Sequence, residues 1–388
     1  MTKSRKPCVE VITGFDGSSP HSGKGVKWES ESRVILYPNL RRMAGIEEEA
    51  PGGGSRFSTR LRNRGKKTVQ LAVVADWEST GRMSEHDYGY FRAQGGREWT
   101  MIPGVHVGGP KIEYRLSLSP GVTDLGLYPE FNVADLNEFA RGCRRRGITC
   151  ESLGRSREGR DILMVTVPPF SADARPFFIQ ARDHAYETAG SYCAAGIADF
   201  LTGGSALAAY LRSKFRVMLV PISNVDGVYN GMSRLTWEKG ADLCRVSTRP
   251  DPSHDAIKAA LDRIKPAVYI NIHNWTYKLI DGLMPLDASL AERIAAHMPA
   301  DSAHFKRWKI RTLADDYKRM GLDKLSPEKA RKKHRGNWLW KHYLNDKYGT
   351  VSTAFEFPWF SLNTADMRAK GARAFIATAL AAIEEKSW

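Results

Sequence analysis

The chain has 388 residues, 42% of them hydrophobic and 26% charged, with 10 Trp, 14 Tyr and 15 Phe, which excludes a single small module and argues against long disorder. Its 58 basic and 43 acidic side chains leave a formal net charge of +15, so acidic ligands, nucleic acid and anionic surfaces enter as partner classes, and charge alone does not choose among them. No stretch approaches the roughly 20 apolar residues of a membrane span, and no apolar core of signal-peptide length follows the basic start. Five cysteines, odd in number and without CxxC spacing, point to reduced thiols in a cytoplasm rather than a disulfide framework or thiolate zinc site.

Residues 1–125 alternate short apolar runs (9–13, 33–37, 68–77, 99–102 and 111–117) with turn clusters at 14–17, 51–55 and 95–96. Short strands at such spacing predict an all-β sandwich, with Ser119-Pro120-Gly121 as its junction to a second domain. From residue 126 to 388 the pattern becomes α/β: a helix over 133–146, strands at 161–167 and 177–180, helices over 188–201 and 206–213, and a strand at 215–221. A helix over 255–264 and a strand at 267–272 precede a long basic stretch, then a strand at 350–355 and a terminal amphipathic helix over 365–384. Such alternation predicts a mostly parallel mixed sheet flanked by helices.

Two of these strands end in residues that bind metals. The apolar run Phe177-Phe178-Ile179-Gln180-Ala181 leads into Arg182-Asp183-His184-Ala185-Tyr186-Glu187, and the run ending at Ile272 is followed by His273. The spacing His184-x-x-Glu187 lets an imidazole and a carboxylate point to one side of a tight turn, and two His with one Glu form a known catalytic zinc set that leaves a position for water. Taken singly, each motif is weak.

Further pieces come in order along the chain: Gly154-Arg155-Ser156 with Gly159-Arg160 in a turn between paired strands, Asn224-Val225-Asp226-Gly227, Arg234, Asp242-Leu243-Cys244-Arg245, and the strand-borne Glu356. Over residues 130–388 this series resembles the zinc carboxypeptidases of the M14 family, and the all-β segment in front makes the cytosolic carboxypeptidase subgroup the nearest likeness. The resemblance implies that His184, Glu187 and His273 hold one zinc ion per chain. It implies that Glu356 is the general base, taking a proton from the attacking water and handing it to the leaving amine, and that Arg234 stabilises the oxyanion.

Arg245 resembles the arginine that grips a peptide's terminal carboxylate, but Cys244, small enough to fit yet only a weak donor, stands where the family has Asn, which leaves open the carboxylate affinity and the identity of the recognised group. The family's substrate-closing tyrosine has no clear counterpart; Tyr343 and Tyr348 lie near the expected stretch. Asn224, Asp226 and Gly227 read as turn architecture that delivers the Arg234 and Arg245 loops. The basic stretch from Lys306 to Lys341 reads as an electropositive wall beside the cleft, with Lys341 lining the pocket for an acidic terminal side chain and an apolar pocket lined by Trp338 or Trp340 as the alternative. Interleaved Trp308, Trp338 and Trp340 carry no nucleic-acid module signature, which argues against nucleic acid as partner.

The expected activity is zinc-dependent removal of a C-terminal residue from a peptide or protein. Two alternatives compete: a zinc amidohydrolase of the same superfamily acting on a small acyl-amino acid or cell-wall peptide, and a binding protein that retains a degenerate zinc domain. The sequence leaves oligomeric state open.

Overall fold

Alternation of buried and exposed side chains along the N-terminal strands is the first feature that the computed structural model of the chain bears out. It describes residues 8–20, 23–38, 56–77, 87–93, 95–96, 98–275, 278–298 and 308–388; the turn cluster at 51–55 and Lys306 and Arg307 lie outside the described residues. The N-terminal strands are β1 (Val9–Ile12), β2 (Val26–Ser30), β3 (Arg33–Leu36), β4 (Ser58–Asn63), β5 (Val69–Asp76), β6 (Tyr88–Ala93), β7 (Thr100–His106), β8 (Lys111–Leu118) and β9 (Gly121–Gly126). Along β8, Ile112, Tyr114, Leu116 and Leu118 are buried while Arg115 and Ser117 face out, the two-residue period of a strand with one face on a core.

These strands form one hydrogen-bonded sheet in the order β1-β4-β9-β6-β7-β8-β5-β3-β2. Strand β7 joins its halves: residues 100–103 pair with β6 and residues 104–106 with β8. The expected junction at Ser119-Pro120-Gly121 is corrected here. Those residues join β8 to β9, and β9 pairs with both β4 and β6, so the sheet continues to Gly126.

The remaining elements are α1 (Val133–Arg145), β10 (Thr149–Arg155), β11 (Asp161–Val167), β12 (Arg175–Ala181), α2 (Ala189–Thr202), α3 (Ala206–Lys214), β13 (Phe215–Val220), α4 (Val225–Tyr229), α5 (Pro252–Ile264) and β14 (Val268–His273). They continue with β15 (Asp281–Leu283), α6 (Ala288–Ala296), β16 (Trp308–Ile310), α7 (Leu313–Arg319), α8 (Pro327–His334), α9 (Trp340–Tyr348), β17 (Val351–Glu356) and α10 (Thr364–Lys386). The second sheet runs β10-β11-β13-β12-β14-β17-β15-β16. Its centre, β13-β12-β14-β17, is parallel, and antiparallel pairs at β10/β11, β11/β13 and β17/β15 make it mixed.

Helices cover the sheet closely. Near the crossing of α2 and α10, a Cβ on Gly196 would strike the Arg368 carbonyl and one on Gly371 would strike the Cys193 backbone, so glycine sets how near the two helices come. Phe177 and Phe375 rings lie 5.0 Å apart in the core beneath; truncating a fully buried Phe to Ala costs about 3–5 kcal/mol. The two sheets also meet. Tyr90 donates from its hydroxyl to the carbonyls of Trp359 (2.5 Å) and Leu362 (3.0 Å), Tyr88 packs on Phe360 at 5.3 Å, and Lys278 pairs with Asp87.

All five cysteines are free. Among the described residues no single helix is long and apolar enough to cross a membrane.

Candidate active site

Three adjacent parallel strands, β12, β14 and β17, end at one edge of the sheet, and the crevice outside such carboxyl ends is where open α/β sheets bind ligands. After β12 the chain turns at Arg182, which adopts φ +59, and a tight turn follows in which Glu187 N–H donates to the His184 carbonyl at 3.1 Å. Helix α2 then begins at Ala189. His273 is the last residue of β14 and the register partner of Glu356, the last residue of β17. Gly282 on β15 lies opposite Glu356; a Cβ there would stand 2.7 Å from Glu356 Cβ and 2.8 Å from the Trp275 ring. Only glycine leaves both side chains their positions.

His184 Nδ1 lies 2.8 Å from Glu187 Oε1, and His273 Nδ1 lies 2.7 Å from Glu187 Oε2. All three side chains are buried, and one ligand atom from each falls within 4.8 Å of the others. Two imidazoles and a carboxylate converging on one point suit zinc and leave a fourth position open. Burial is the largest influence on His184 and opposes its charge, but Glu187, Cys244 and Asp242 together outweigh it and hold the imidazole well above its ordinary value. Burial likewise opposes ionisation of Glu187, yet the two imidazoles keep it below the usual carboxylate range. A cation at their centre satisfies all three groups at once.

Beyond the ligands, Asp242 Oδ1 lies 3.2 Å from His184 Nε2, the outer contact that fixes a ligand's ring and tautomer. Asp242 Oδ2 accepts from Arg234 Nη2 at 2.9 Å, and burial, which would raise this carboxyl, is overcome by His184 and Arg234. Cys244 is buried and sets its thiol 3.0 Å from Asp242 Oδ1; burial pushes that thiol up to about 11. Arg245 donates to the Asn337 carbonyl at 2.9 Å and brings Nε within 3.8 Å of Asp242. Three residues of one loop, Arg234, Cys244 and Arg245, therefore meet around the Asp242 carboxylate. For Glu356, burial is the main influence and pushes the carboxyl up to about 7.

Asn224 accepts from Gly227 N–H at 3.0 Å and donates to the carbonyls of Asp183 and Arg234, both at 3.2 Å. Asp226 receives Ser156 Oγ (2.7 Å), Glu158 N–H (2.9 Å) and Arg160 (2.7 Å). These contacts tie the glycine-rich turn between β10 and β11 to the loop that carries Arg234, which is the architectural part read from their sequence.

Other expectations fare differently. Tyr343 and Tyr348 both donate to Asp262, at 2.6 and 2.8 Å, away from the ligands; the aromatic beside them is Tyr186, whose ring lies parallel to His184 at 6.4 Å. Lys341 is 1% exposed and donates to the Met284 carbonyl at 2.9 Å, and burial lowers it to about 8. Trp340 is fully buried with its indole N–H on the Leu243 carbonyl at 2.7 Å. Trp338 is also buried. A cavity of about 350 Å³ lies next to this segment, lined by Leu286, Leu313, Tyr317, Trp338 and His342 among others. The basic stretch is partly neutralised: Arg331 and Arg335 pair with Asp346, and Arg311 and Arg319 with Asp316.

The roles of Asp242 and Gly282 escape sequence reading. Asp242 sits in a quoted motif, but its contact with His184 crosses 58 positions, and Gly282 carries no motif at all.

Comparison with known proteins places this geometry among relatives. Residues 136–274 match the zinc carboxypeptidase model of the M14 peptidases. A 153-residue segment is 31% identical to cytosolic carboxypeptidase 1 of Xenopus laevis, covering 34% of this chain and 12% of that protein. A 107-residue segment is 36% identical to human cytosolic carboxypeptidase 6, covering 26% and 21%. The matched segments thus span a minor part of those relatives. In fold, the chain superimposes on a metallo-carboxypeptidase from Burkholderia cenocepacia with TM-score 0.75 at 17% identity, covering 97% of this chain and all of that one. A Pseudomonas aeruginosa metallo-carboxypeptidase solved with (2-guanidinoethylmercapto)succinic acid gives 0.72 at 16%, covering 97% and 99%.

Proposed function

Since the chain carries a zinc carboxypeptidase domain of the M14 peptidase family, we propose that it hydrolyses the C-terminal peptide bond of a peptide or protein, with one zinc ion held by His184, Glu187 and His273. The observation that carries this reading is the convergence of those three ligand atoms within 4.8 Å beside Glu356 at the ends of neighbouring strands. Zinc bound there supplies Lewis acidity, which brings water's pKa to about 7 and polarises a carbonyl.

The chain's own residues do the rest. Glu356, whose carboxyl burial pushes up, accepts a proton from the attacking water and returns it to the leaving amine. Arg234, held by Asp242, meets the negative charge that develops on the carbonyl oxygen. Arg245 offers a planar fork to the terminal carboxylate. Because the Cys244 thiol is engaged with Asp242, recognition of that carboxylate rests on Arg245.

Lys341 is read as the source of a preference for an acidic terminal residue. Its buried ammonium lies beside Met284, whose backbone pairs with Ala354 of the Glu356 strand, and a desolvated cation attracts a carboxylate and repels a basic side chain. We further read the chain as two units, 1–125 and 126–388, and as a cytoplasmic protein like the relatives named cytosolic. Contacts of Phe57 with Trp77 at 6.3 Å and Tyr114 at 5.8 Å support the N-terminal sheet being a sandwich folded at β7.

Peptides differing only in a free or amidated C-terminus test the reading. Cleavage of the free acids with the amides spared supports a carboxypeptidase. Equal cleavage of both, or turnover confined to small acyl-amino acids, moves the activity to the amidohydrolase class.

A further inference from the structure

We propose that Arg56, supplied by the N-terminal sheet, is a positioning residue for the metal-binding turn: by fixing the Ala185 carbonyl it holds His184 and Glu187 at their working spacing. The inference rests on the reading that these two residues and His273 hold a metal ion.

Ala185 sits inside the turn between the two ligands, and its carbonyl oxygen is crowded with donors. Arg182 reaches it with Nε at 3.0 Å and Nη2 at 2.6 Å, and Arg56 with Nη1 at 2.9 Å. A carbonyl oxygen has two lone pairs, so two guanidinium groups saturate it and fix its direction. Both side chains are buried, at 0% and 2% exposure. Arg182 is anchored from behind by the Phe131 carbonyl at 2.9 Å, and its left-handed backbone is a costly conformation for a bulky residue that persists only where its surroundings impose it. Arg56 is anchored by the Gly17 carbonyl at 3.1 Å and by Glu130 Oε2 at 2.9 Å.

Two buried like charges on one oxygen are a poor way to fill a core, because each must leave water and they repel. What the arrangement gains is direction: an oxygen aimed by fixed cations cannot rotate, so the Ala185–Tyr186 peptide plane, which lies between His184 and Glu187, is fixed with it. Further backbone restraints on the turn include Tyr186 N–H to the Ser233 carbonyl at 2.8 Å, Glu187 N–H to the His184 carbonyl and Thr188 N–H to the Tyr186 carbonyl at 2.9 Å. Arg56 lies just before β4, so this restraint comes from the other sheet, and the N-terminal unit becomes a component of the metal site.

The test compares wild type, Arg56→Ala, Arg56→Lys and Tyr90→Phe as full-length, zinc-loaded proteins. Zinc per chain, the rate of zinc transfer to a chromogenic chelator, and the rise in thermal midpoint on adding zinc are read for each. Outer partners of metal ligands typically contribute 10–100-fold to affinity, so Arg56→Ala should release zinc about 10–100 times faster and gain a smaller midpoint rise. Arg56→Lys, which keeps the charge but loses the fork, should fall between. Tyr90→Phe, which cuts the sheet-to-sheet contact elsewhere, should release zinc like wild type. Wild-type release from Arg56→Ala, or equally fast release from Tyr90→Phe, overturns the positioning role. If Arg56→Ala does not fold, Arg56→Lys decides, and wild-type release from it overturns the role equally. Absence of zinc from the wild type overturns the metal-site reading and this inference with it.

Discussion

His184 and Asp242 are joined through the imidazole nitrogen that faces away from Glu187: Nε2 lies 3.2 Å from Asp242 Oδ1 while Nδ1 lies 2.8 Å from Glu187 Oε1. One ring is thereby held from both sides. The carboxylate that steadies it also binds Arg234, so the ligand set and the candidate oxyanion cation share one anchor.

Asp242→Asn should loosen both. The amide keeps the shape but loses the charge, and zinc affinity should fall about 10–100-fold, with a further loss in kcat as Arg234 is released. Competition with a chelator measures the first effect; unchanged affinity would separate Asp242 from the metal.

Glu356→Gln should leave zinc content and thermal midpoint near wild type, because Gln fills the same space. It cannot accept the proton, so kcat should fall by about two to four orders of magnitude. Steady-state rates with metal analysis of the same sample check this, and near-normal turnover would move the base elsewhere.

Gly282→Ala reaches the same residue through packing. A Cβ only 2.7 Å from Glu356 Cβ and 2.8 Å from Trp275 forces one of them to shift, and overpacking typically costs about 1–3 kcal/mol. Turnover should fall with zinc retained, a pattern visible in kcat and metal content together.

Arg245→Ala should act on KM instead. Losing a charge-assisted pair with the terminal carboxylate costs about 1.5–3 kcal/mol, roughly a 10–150-fold rise in KM for peptides with a free terminus, and it should narrow the gap between free and amidated substrates.

Lys341 sets a pH dependence of stability. Burial lowers it to about 8 in the folded protein, against about 10.4 in an unfolded chain. The unfolded state therefore binds more protons between these values, so stability rises with pH there; the penalty is fully present below pH 8 and is relieved as pH climbs through it. Relative to Lys341→Met, the wild type should gain about 1.4 kcal/mol per pH unit from 8 to 10. A flat difference in denaturant midpoints would place the ammonium in solvent.

How much of the structure is legible in the sequence depends on how each residue makes its contacts. Strands β12, β14 and β17 are legible because parallel strands buried on both faces are near-continuous apolar runs, here interrupted by Gln180, Asn271 and Ser352-Thr353, and each stops at, or a few residues before, His184, His273 or Glu356. Strand β4, with Leu61 its single aliphatic residue, and the short β15 give no such signal. Ser119-Pro120-Gly121 looks like a linker because a turn inside a sheet and a turn between domains use the same residues. The buried ammonium of Lys341 is not legible either, since lysine is ordinarily a surface residue and only the fold reveals the Met284 carbonyl that receives it.

Hydrolysis of a terminal peptide bond at the His184, Glu187 and His273 centre is tested by mass spectrometry of a defined peptide incubated with the zinc-loaded protein in ¹⁸O-water. The predicted result is loss of a single C-terminal residue, with one ¹⁸O in the new carboxylate of the shortened peptide and none in the released amino acid, and no reaction with His273→Ala. Cleavage at an internal bond, or turnover that survives in His273→Ala, would rule out terminal hydrolysis at this centre.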